Sequence, residues 1–460
     1  MEVELPETIE ECHSLIRQLL SVIEKMQAEI DELKARLNEN SQNSNRPPSS
    51  DGFNQPKPAF SKKKGRRGGQ LGHLGKTLKM VAEADVVVEC EPENCECGAM
   101  DLLSERAMVE RRQVFDLPEP RLEVVEYRRV KRKCKCGKTV SGKFPASVLA
   151  SVQYGTRVQA MVSLLSVHGC LPHRKIGQLF GDLYGYQLNE ATTQDMVTRT
   201  AAQVPMAEIR AGILGSKVVN FDETGIKEGG QLKWLHNAST AELTYQFVHR
   251  NRGNKAMKSK DSIIAEYRGI GVHDCWASYF GFSEMKHAVC NAHILRELTG
   301  IIENGESKWG LQMKQLLLEM YEKSEFGKDI IQEIVEYEKR YLEIIRVGEA
   351  EEPPPKRTNP KGKMKRTKGR NLLERLSKYK DLVLMFAKVG EVPFTNNQAE
   401  RDIRPVKVKQ KMSGGFRSEV GTQSYTRIAS FISTMRKMKR QVFQELRSVL
   451  ENQPFVLFQT

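Results

Sequence analysis

The chain has 460 residues, of which 72 are Lys or Arg and 58 are Asp or Glu, so its formal net charge is +14. This length suits two to four structural units. The excess positive charge points to a polyanionic partner such as nucleic acid. The sequence has neither a long apolar run typical of a membrane span nor a start typical of a secretory signal. Nine cysteines, five of them between positions 90 and 136, indicate reduced thiols with one local cluster rather than a disulfide framework.

The N-terminal segment, residues 7–39, has apolar residues at alternating spacings of three and four from Ile9 to Leu37. A seam this narrow and regular predicts a coiled coil through which the chain associates with another copy of itself. An amphipathic helix lying on its own core is the alternative, although such helices usually have a broader apolar stripe.

The next segment, residues 40–80, combines a polar linker with a basic arm. The linker is rich in Asn, Ser and Pro, which predicts that it does not pack. Residues 53–80 contain eight Lys or Arg and no acid, and we expect this arm to become ordered on a phosphate backbone, with a solvated arm as the alternative. The expected DNA contacts of the arm are Lys62, Lys63, Lys64, Arg66 and Arg67.

Residues 86–145 contain two Cys-x-Cys-Gly knuckles. Four thiolates in two knuckles suit tetrahedral zinc, which would stabilise a small β module that has few core residues. The alternating pattern from Leu122 to Val130 predicts a hairpin between the knuckles. One residue separates the cysteines of each knuckle where two are usual, and Cys90 could replace one ligand. The expected ligands of this structural zinc are Cys95, Cys97, Cys134 and Cys136.

Residues 153–205 have a helical pattern, with Ile176 and Phe180 on one helix face. Gly185 marks a turn, and Asn189 is the expected N-cap of a second helix rich in Thr and Arg. A helix-turn-helix that binds DNA is compatible with this pattern, and two packed helices of a bundle would have the same one.

Residues 214–298 alternate short apolar strands with turns. One strand is predicted to end at Asp222 and another at Asp274, with two strands and a helix at residues 255–267 between them. Late in the chain, Thr395 is the expected N-cap of a helix that carries Glu400.

Each of these acids alone would be an ordinary strand-end or surface residue. Together, Asp222, Asp274 and Glu400 could hold two divalent cations at one edge of a sheet and so promote phosphoryl displacement. Oxygen ligands favour Mg²⁺ or Mn²⁺. The neighbouring Glu223 and Asp402 are expected to tolerate an amide substitution better. The sequence lacks the motifs of zinc deaminases, P-loop nucleotide triphosphatases and serine hydrolases.

The motifs together resemble those of the IS66 family of bacterial insertion-sequence transposases, and they follow the family's order over nearly the whole chain. The resemblance implies a DDE transposase on an RNase H-like fold, with Asp222, Asp274 and Glu400 as catalytic triad and metal ligands. It also implies that residues 86–140 form the family's zinc-binding module. The matching segments are residues 43–51, 68–73, the two cysteine knuckles, 222–225, 273–279 and 396–404.

The chain departs from the family in its Cys-x-Cys knuckles, where Cys-x-x-Cys is frequent, and in its tail after Thr434. The long interval between Asp274 and Glu400 predicts a helical insertion at residues 299–392. This insertion contains a basic loop, residues 356–370, that would grip DNA, with a solvated loop as the alternative.

Other residues near the expected triad were also assigned from the sequence. Cys290 and His293 have zinc-ligand spacing but no obvious second pair, so they are expected to pack or hydrogen-bond behind Asp274. The basic residues that follow Glu400 are expected to contact phosphates, and the alternative for Arg404 is that it only orients Glu400. These basic residues are Arg401, Arg404, Lys407, Lys409 and Lys411.

The sequence therefore predicts a multidomain α/β protein. Its expected parts are an N-terminal coiled coil, a small β zinc-binding module, a helical DNA-binding region and an RNase H-like mixed-sheet catalytic core with a helical insertion. In residue numbers, the coiled coil, arm, zinc module and helical region are followed by the core at 214–298, the insertion at 299–392, the final core helix at 393–434 and a helical tail at 435–460.

The expected function is transposition of DNA. The protein would bind terminal inverted repeats in double-stranded DNA as a homodimer or larger assembly, with accessory transposition proteins as further candidate partners. It would cleave and join DNA using Mg²⁺ or Mn²⁺, and Zn²⁺ would have a structural role. The expected location is the nucleoid in the cytoplasm of a bacterium or archaeon, and no membrane partner is expected. The alternatives are a DNA-binding regulator with an inactive core and a metal-dependent nuclease without strand transfer.

Overall fold

The computed structural model shows a mixed α/β protein. The predictions for Cys95 and Cys97, and for the five basic residues at positions 62–67, lie outside the described residues. The described residues are 8–44, 51, 78–90, 110–145, 147–305, 307–325, 330–355 and 366–457.

Helix α1 spans Ile9–Leu37. Thr8 caps it, because the Thr8 hydroxyl accepts from the Glu11 amide at 3.3 Å and the Glu11 carboxylate accepts from the Thr8 amide at 3.2 Å. The apolar seam is exposed to solvent, with Ile16 51% and Ile23 59% exposed. The helix is confirmed, and its pairing into a coiled coil stays a prediction.

The beginning of the linker packs, so the prediction that it does not is wrong for residues 40–44. Ser41 and Asn43 are buried. The Asn43 amide donates to the Glu303 carboxylate at 2.8 Å and to the Asn38 carbonyl at 2.9 Å. Local hydrogen bonds of Asn side chains satisfy this polar backbone, which allows it to lie against the protein.

The β module contains one described hairpin, in a different place from the one predicted. Strand β1 (Lys131–Lys133) pairs antiparallel with β2 (Thr139–Ser141), and the second cysteine knuckle forms the turn between them. Gly137 in this turn has a φ of +85°, which glycine adopts readily. Residues 122–130, where the sequence predicted a hairpin, form no strand.

Four helices follow, and Asn189 is confirmed as the N-cap of α4 through a 2.7 Å bond from the Thr192 amide. Helix α4 packs against α2 and against a late helix, α14 (Glu419–Lys437). Its Thr193 and Thr200 are buried, as expected for a bundle helix. DNA binding by this region stays a prediction. The four helices are α2 (Thr156–Val167), α3 (His173–Tyr184), α4 (Glu190–Gln203) and α5 (Met206–Leu214).

A five-stranded mixed sheet follows these helices, in the order β5-β4-β3-β6-β7. Strands β3, β4 and β5 are antiparallel neighbours, whereas β6 is parallel to both β3 and β7. The strands are β3 (Val218–Glu228), β4 (Gln231–Ser239), β5 (Thr244–His249), β6 (Ile270–His273) and β7 (Lys286–Val289).

The helix predicted at residues 255–267 is mostly wrong. Helix α6 spans only Asn254–Met257, and turns follow it. Tyr267 is fully buried in this loop, and its hydroxyl donates to the Ser216 carbonyl at 2.9 Å. Tertiary packing of the loop therefore overrides the helical pattern.

A second group of helices packs with strands β6 and β7 around its own hydrophobic core. The end of the predicted basic loop is helical, because α10 begins at Lys368 and Arg370 in its first turn pairs with Glu349 and Glu374. Residues 356–365 of that prediction lie outside the described residues. The helices are α7 (Asn291–Gly305), α8 (Lys308–Glu325), α9 (Ile334–Glu351), α10 (Lys368–Lys378), α11 (Lys380–Val383) and α12 (Met385–Lys388).

Three C-terminal helices return to the first core, with α14 packing on β5 and α4. The predicted boundary between residues 434 and 435 falls inside α14, and α15 packs on α2, so the tail is part of the helical bundle. The helices are α13 (Asn397–Ser413), α14 and α15 (Val442–Leu450). Within the described ranges, no helix has both the length and the hydropathy that crossing a bilayer requires.

Candidate active site

Strands β3 and β6 carry the first two expected acids to the same level of the sheet. Val218, Val219 and Asn220 each pair with the residue 52 positions later, and Asp274 likewise lies 52 positions after Asp222. The parallel ladder stops at Asn220, just before the acids. The prediction that the strand itself ends at Asp222 is wrong, because β4 pairs with β3 as far as Glu228.

Glu400 lies in the first turn of α13, whose start is fixed to the sheet. The Asn396 side-chain amide donates to the Phe221 carbonyl at 2.7 Å, and the Asn396 backbone amide donates to Cys290 Sγ at 3.1 Å. The N-cap position of α13 falls at Asn396, whose side chain makes no capping bond, so the prediction of Thr395 is wrong. Because Phe221 precedes Asp222, these bonds bring the Glu400 end of α13 to the β3 acid.

The electrostatics of Asp222 reflect this proximity. Burial, followed by the negative charges of Glu223 and Glu400, raises the pKa of Asp222 to about 8. Among the described residues, no Lys or Arg forms an ion pair with Asp222, Asp274 or Glu400. No lysine or arginine in the described part of the chain therefore compensates these like charges, and the charge of the nearby His293 acts in the opposite direction by lowering the pKa of Asp222. A site of this kind suits an external cation.

Glu223, the next residue on β3, is also buried, and burial raises its pKa too, but it has a cation beside it. Its carboxylate lies 2.7 Å from the Arg252 guanidinium and accepts from the Tyr279 hydroxyl at 2.5 Å. Arg252 is held in turn over the rings of Trp276, at 4.3 Å, and Trp234, at 5.1 Å. Glu223 is thus a buried acid paired with Arg252. Its hydrogen bond from Tyr279 fixes the loop after β6 to β3.

Asp402 lies two residues after Glu400 and is also paired. Its carboxylate lies 2.6 Å from Lys437 Nζ on α14 and accepts from the Ser239 hydroxyl at 2.6 Å. The Gln246 side-chain amide donates to the Asp402 carbonyl at 2.9 Å. These contacts fix α13 against β4, β5 and α14. Because removing one partner of a buried ion pair is destabilising, an amide at Glu223 or Asp402 should lower the stability of the protein.

Asp274 follows β6 and accepts from the Trp276 backbone amide at 3.0 Å. The preceding His273 stacks on Tyr279, with ring centroids 4.4 Å apart, and its Nε2 lies 2.9 Å from His287 Nδ1. Burial lowers the pKa of His273 to about 3, so its ring is neutral and serves as packing beneath the acids.

The sequence predicts that Cys290 and His293 pack behind Asp274. In the structure they lie beside Glu400. Cys290 joins β7 to α7, and His293 lies in the first turn of α7. Cys290 Sγ, a ring nitrogen of His293 and a carboxylate oxygen of Glu400 all lie within 4.8 Å of one another. The Cys-x-x-His spacing was visible in the sequence, whereas the approach of Glu400 from the far end of the core was not.

The basic residues of α13 divide into two groups. Arg401, Arg404 and Lys407 are exposed, and Lys407 Nζ donates to the Gly225 carbonyl at 2.5 Å. Lys409 is buried, and its Nζ donates to the Ser166 carbonyl at 3.0 Å and to the Leu171 carbonyl at 3.1 Å. The prediction that Lys409 contacts phosphate is therefore wrong.

In the β module, Cys134 and Cys136 are both exposed on the turn between β1 and β2. Hydrogen bonds with Cys136 lower the pKa of Cys134, which favours the thiolate that a metal requires. Cys95 and Cys97, the other expected ligands, fall outside the described ranges.

Comparison with known protein families gives three matches. Residues 151–424, more than half of the chain, match the model of the transposase IS66 family. Residues 92–137 match the zinc-finger binding domain of transposase IS66, which supports zinc binding in this segment, and residues 3–79 match a family of unknown function. No curated protein matches the chain.

Proposed function

The chain belongs to the IS66 family of transposases, as the sequence resemblance predicted, and we propose that it cleaves the ends of its element and joins them to target DNA. The observation that carries this proposal is the meeting of Asp222 and Glu400, with Asp274 at the same level of the sheet, and the lack of an ion-paired Lys or Arg at all three among the described residues. The adjacent Glu223 and Asp402 each have a cation of their own.

The sheet supports the proposal of an RNase H-like core. Three antiparallel strands are followed by two parallel strands on the other side of β3. Asp222 lies on the central strand, Asp274 follows its parallel neighbour, and Glu400 arrives on a helix from the end of the core. The helices between β7 and α13 form the insertion that separates the last acid from the others.

Asp222, Asp274 and Glu400 would hold Mg²⁺ or Mn²⁺, since carboxylate oxygens are the ligands these ions prefer. The raised pKa of Asp222 fits this role, because a divalent cation would relieve the repulsion that now disfavours its charge. When bound, two such ions stabilise the attacking and leaving oxygens of a phosphoryl displacement. Glu223 and Asp402 would keep β3 and α13 in place, and the exposed Arg401, Arg404 and Lys407 would bind DNA phosphates beside the triad.

Other parts of the chain would assemble the complex on DNA. The exposed seam of α1 supports pairing with a second copy into a coiled coil. We assign Cys95, Cys97, Cys134 and Cys136 to one structural zinc, which four thiolates would enclose without an open position. The basic arm, with Lys62, Lys63, Lys64, Arg66 and Arg67, would bind the DNA backbone at the transposon ends.

A strand-transfer assay tests this function. The full-length protein would be incubated with a labelled transposon end, a supercoiled target plasmid and Mg²⁺. We expect cleaved ends and labelled end DNA joined to the plasmid. Cleavage without joining would indicate a nuclease, and binding without any product would indicate a regulator with an inactive core.

A further inference from the structure

The residues around Glu400 form a second arrangement that the proposed reaction does not use. Cys290 Sγ, a His293 ring nitrogen and a Glu400 oxygen converge within 4.8 Å, although Glu400 is more than a hundred residues distant in sequence. Cys290 is 1% exposed, so its thiol faces the protein interior. Its sulfur accepts a hydrogen bond from the Asn396 backbone amide at 3.1 Å, the kind of bond that stabilises a thiolate ligand.

His293 supplies an independent observation. Its Nδ1 is buried and has no hydrogen-bond partner. A buried polar atom without a partner is costly, and it is often explained by an ion that belongs at the site. His273 and His287 contrast with it, because their rings contact each other at 2.9 Å.

The three groups match the ligand chemistry of zinc. One thiol, one imidazole and one carboxylate provide S, N and O ligands, and three protein ligands leave a fourth position for water. In tetrahedral zinc sites, ligand atoms lie about 3.3–3.8 Å apart, so the 4.8 Å cluster needs to contract by only about 1 Å. Mg²⁺ prefers oxygen ligands and would not select the Cys290 and His293 pair.

We propose that Cys290, His293 and Glu400 form a zinc site that is separate from the cysteine module and shares Glu400 with the catalytic cations. The consequence for activity, though not the binding itself, rests on the proposed function of Glu400. Zinc bound here would draw the Glu400 carboxylate toward α7 and away from Asp222 and Asp274. The bound zinc would therefore inhibit Mg²⁺-dependent cleavage reversibly, and the site would make the transposase sensitive to free zinc.

Zinc binding is measured on the full-length protein, stripped of metal under reducing conditions, by titration against a chromophoric zinc chelator. We expect wild type to bind about two zinc ions, one in the cysteine module and one in this site. Cys290→Ser and His293→Gln should each bind about one, whereas a Cys134→Ser/Cys136→Ser double variant should retain the new site. Glu400→Gln should weaken the second binding event at least tenfold.

Two controls make the titration decisive. Cys170→Ser removes a buried thiol whose sulfur bonds to the Val167 carbonyl at 3.7 Å, and it should keep both zinc ions. Circular dichroism of each variant identifies any that fail to fold. Cobalt added to the Cys134→Ser/Cys136→Ser protein should give the charge-transfer band of a thiolate ligand, and loss of that band on adding Cys290→Ser identifies the sulfur. A single zinc in wild type that is lost in the Cys134→Ser/Cys136→Ser variant, or two in both Cys290→Ser and His293→Gln, would overturn the proposal.

Inhibition is measured separately, with each variant compared to its own zinc-free rate. Zinc should inhibit Mg²⁺-dependent cleavage by wild type and by Cys170→Ser, and His293→Gln should require at least ten times more zinc for the same inhibition. Equal inhibition of His293→Gln would refute the regulatory role. If no variant cleaves DNA at all, the proposed transposase chemistry fails, and the zinc titration still decides whether the site exists.

Discussion

Glu400 and Asp402 lie two residues apart on α13, yet the protein surrounds them differently. Asp402 has a lysine at 2.6 Å and a hydroxyl at 2.6 Å, and it joins α13 to the sheet and to α14. Glu400 instead meets Asp222, Cys290 and His293, with no Lys or Arg ion-paired to it among the described residues. One acid has its charge compensated and supports the fold, whereas the other is left for a cation from outside.

Asp222 and Glu223 repeat this contrast on β3. Consecutive residues of a strand point to opposite faces, so the two carboxylates enter different environments. Glu223 meets Arg252 and Tyr279, and Asp222 meets Glu400. The paired acids Glu223 and Asp402 hold the backbone near Asp222 and Glu400 in place while the unpaired acids repel each other.

The largest effect should come from removing an unpaired acid. Glu400→Gln keeps the side-chain shape and removes one charge, so cleavage and strand transfer should fall together by about 1,000-fold or more, because both displacements would use the same cations. Asp222→Asn and Asp274→Asn should behave alike, and double variants should add little. Gel assays of cleavage and joining measure the loss, and gel shift should show unchanged end binding.

The matched control for this experiment is Glu208→Gln, which removes an exposed acid on α5. This variant should cleave and join at the wild-type rate. Near-normal strand transfer by Glu400→Gln in Mg²⁺ would show that the triad is assigned incorrectly.

Substitution of a paired acid should lower the stability of the protein. Asp402→Asn leaves the Lys437 ammonium buried without its partner, so the free energy of unfolding should fall by about 3–5 kcal/mol. Denaturant unfolding measures this loss. The Asp402→Asn/Lys437→Met double variant should recover part of it, since no unpaired charge remains. Equal stability of wild type and Asp402→Asn would remove the distinction between the two acids of α13.

The raised pKa of Asp222 predicts that the stability of the protein depends on pH. Its folded pKa is about 8 and its ordinary value is 3.8, so the folded metal-free protein holds this proton longer than the unfolded chain does. The free energy of unfolding should therefore decrease as pH rises from about 4 to 8. Thermal unfolding at several pH values measures this slope.

Asp222→Asn should flatten that pH dependence, because the titrating group is gone. Mg²⁺ should stabilise wild type more at pH 8 than at pH 6, where protons compete with the cation. A wild-type slope identical to that of Asp222→Asn would mean that Asp222 carries no uncompensated charge.

The smallest effect concerns the basic residues of α13, some of which are exposed and free to bind DNA, whereas Lys409 is buried and supports the fold. Arg404→Gln should weaken end binding and reduce the slope of log affinity against log salt by about 0.9, the value for one phosphate contact. Lys409→Met removes a buried lysine that bonds two carbonyls, so it should lower stability without changing the slope. Filter binding from low to high salt measures both, and an unchanged slope for Arg404→Gln would place Arg404 away from DNA.

The sequence predicted several strands, the N-terminal helix and the cap at Asn189, because each rests on a local pattern, and the triad that its short motifs indicate stays a prediction. The sequence failed where distant parts of the chain decide the outcome. The N-cap position of α13 falls at Asn396, whose side chain bonds to the Phe221 carbonyl, and Lys409 bonds to backbone carbonyls some 240 residues away. No spacing in the sequence indicates that Glu400 lies beside Cys290 and His293, or that Lys437 compensates Asp402.

Manganese binding tests the central claim most directly, because it reports cation binding by the unpaired acids without requiring DNA or turnover. Mn²⁺ would be titrated into full-length protein that holds zinc only in the cysteine module, with free Mn²⁺ measured by electron paramagnetic resonance. Wild type and the paired-acid variant Asp402→Asn, under conditions where it is folded, should bind Mn²⁺ alike, and Asp222→Asn, Asp274→Asn and Glu400→Gln should each lose at least tenfold in affinity. Equal Mn²⁺ affinity in wild type and all three triad variants would contradict the account.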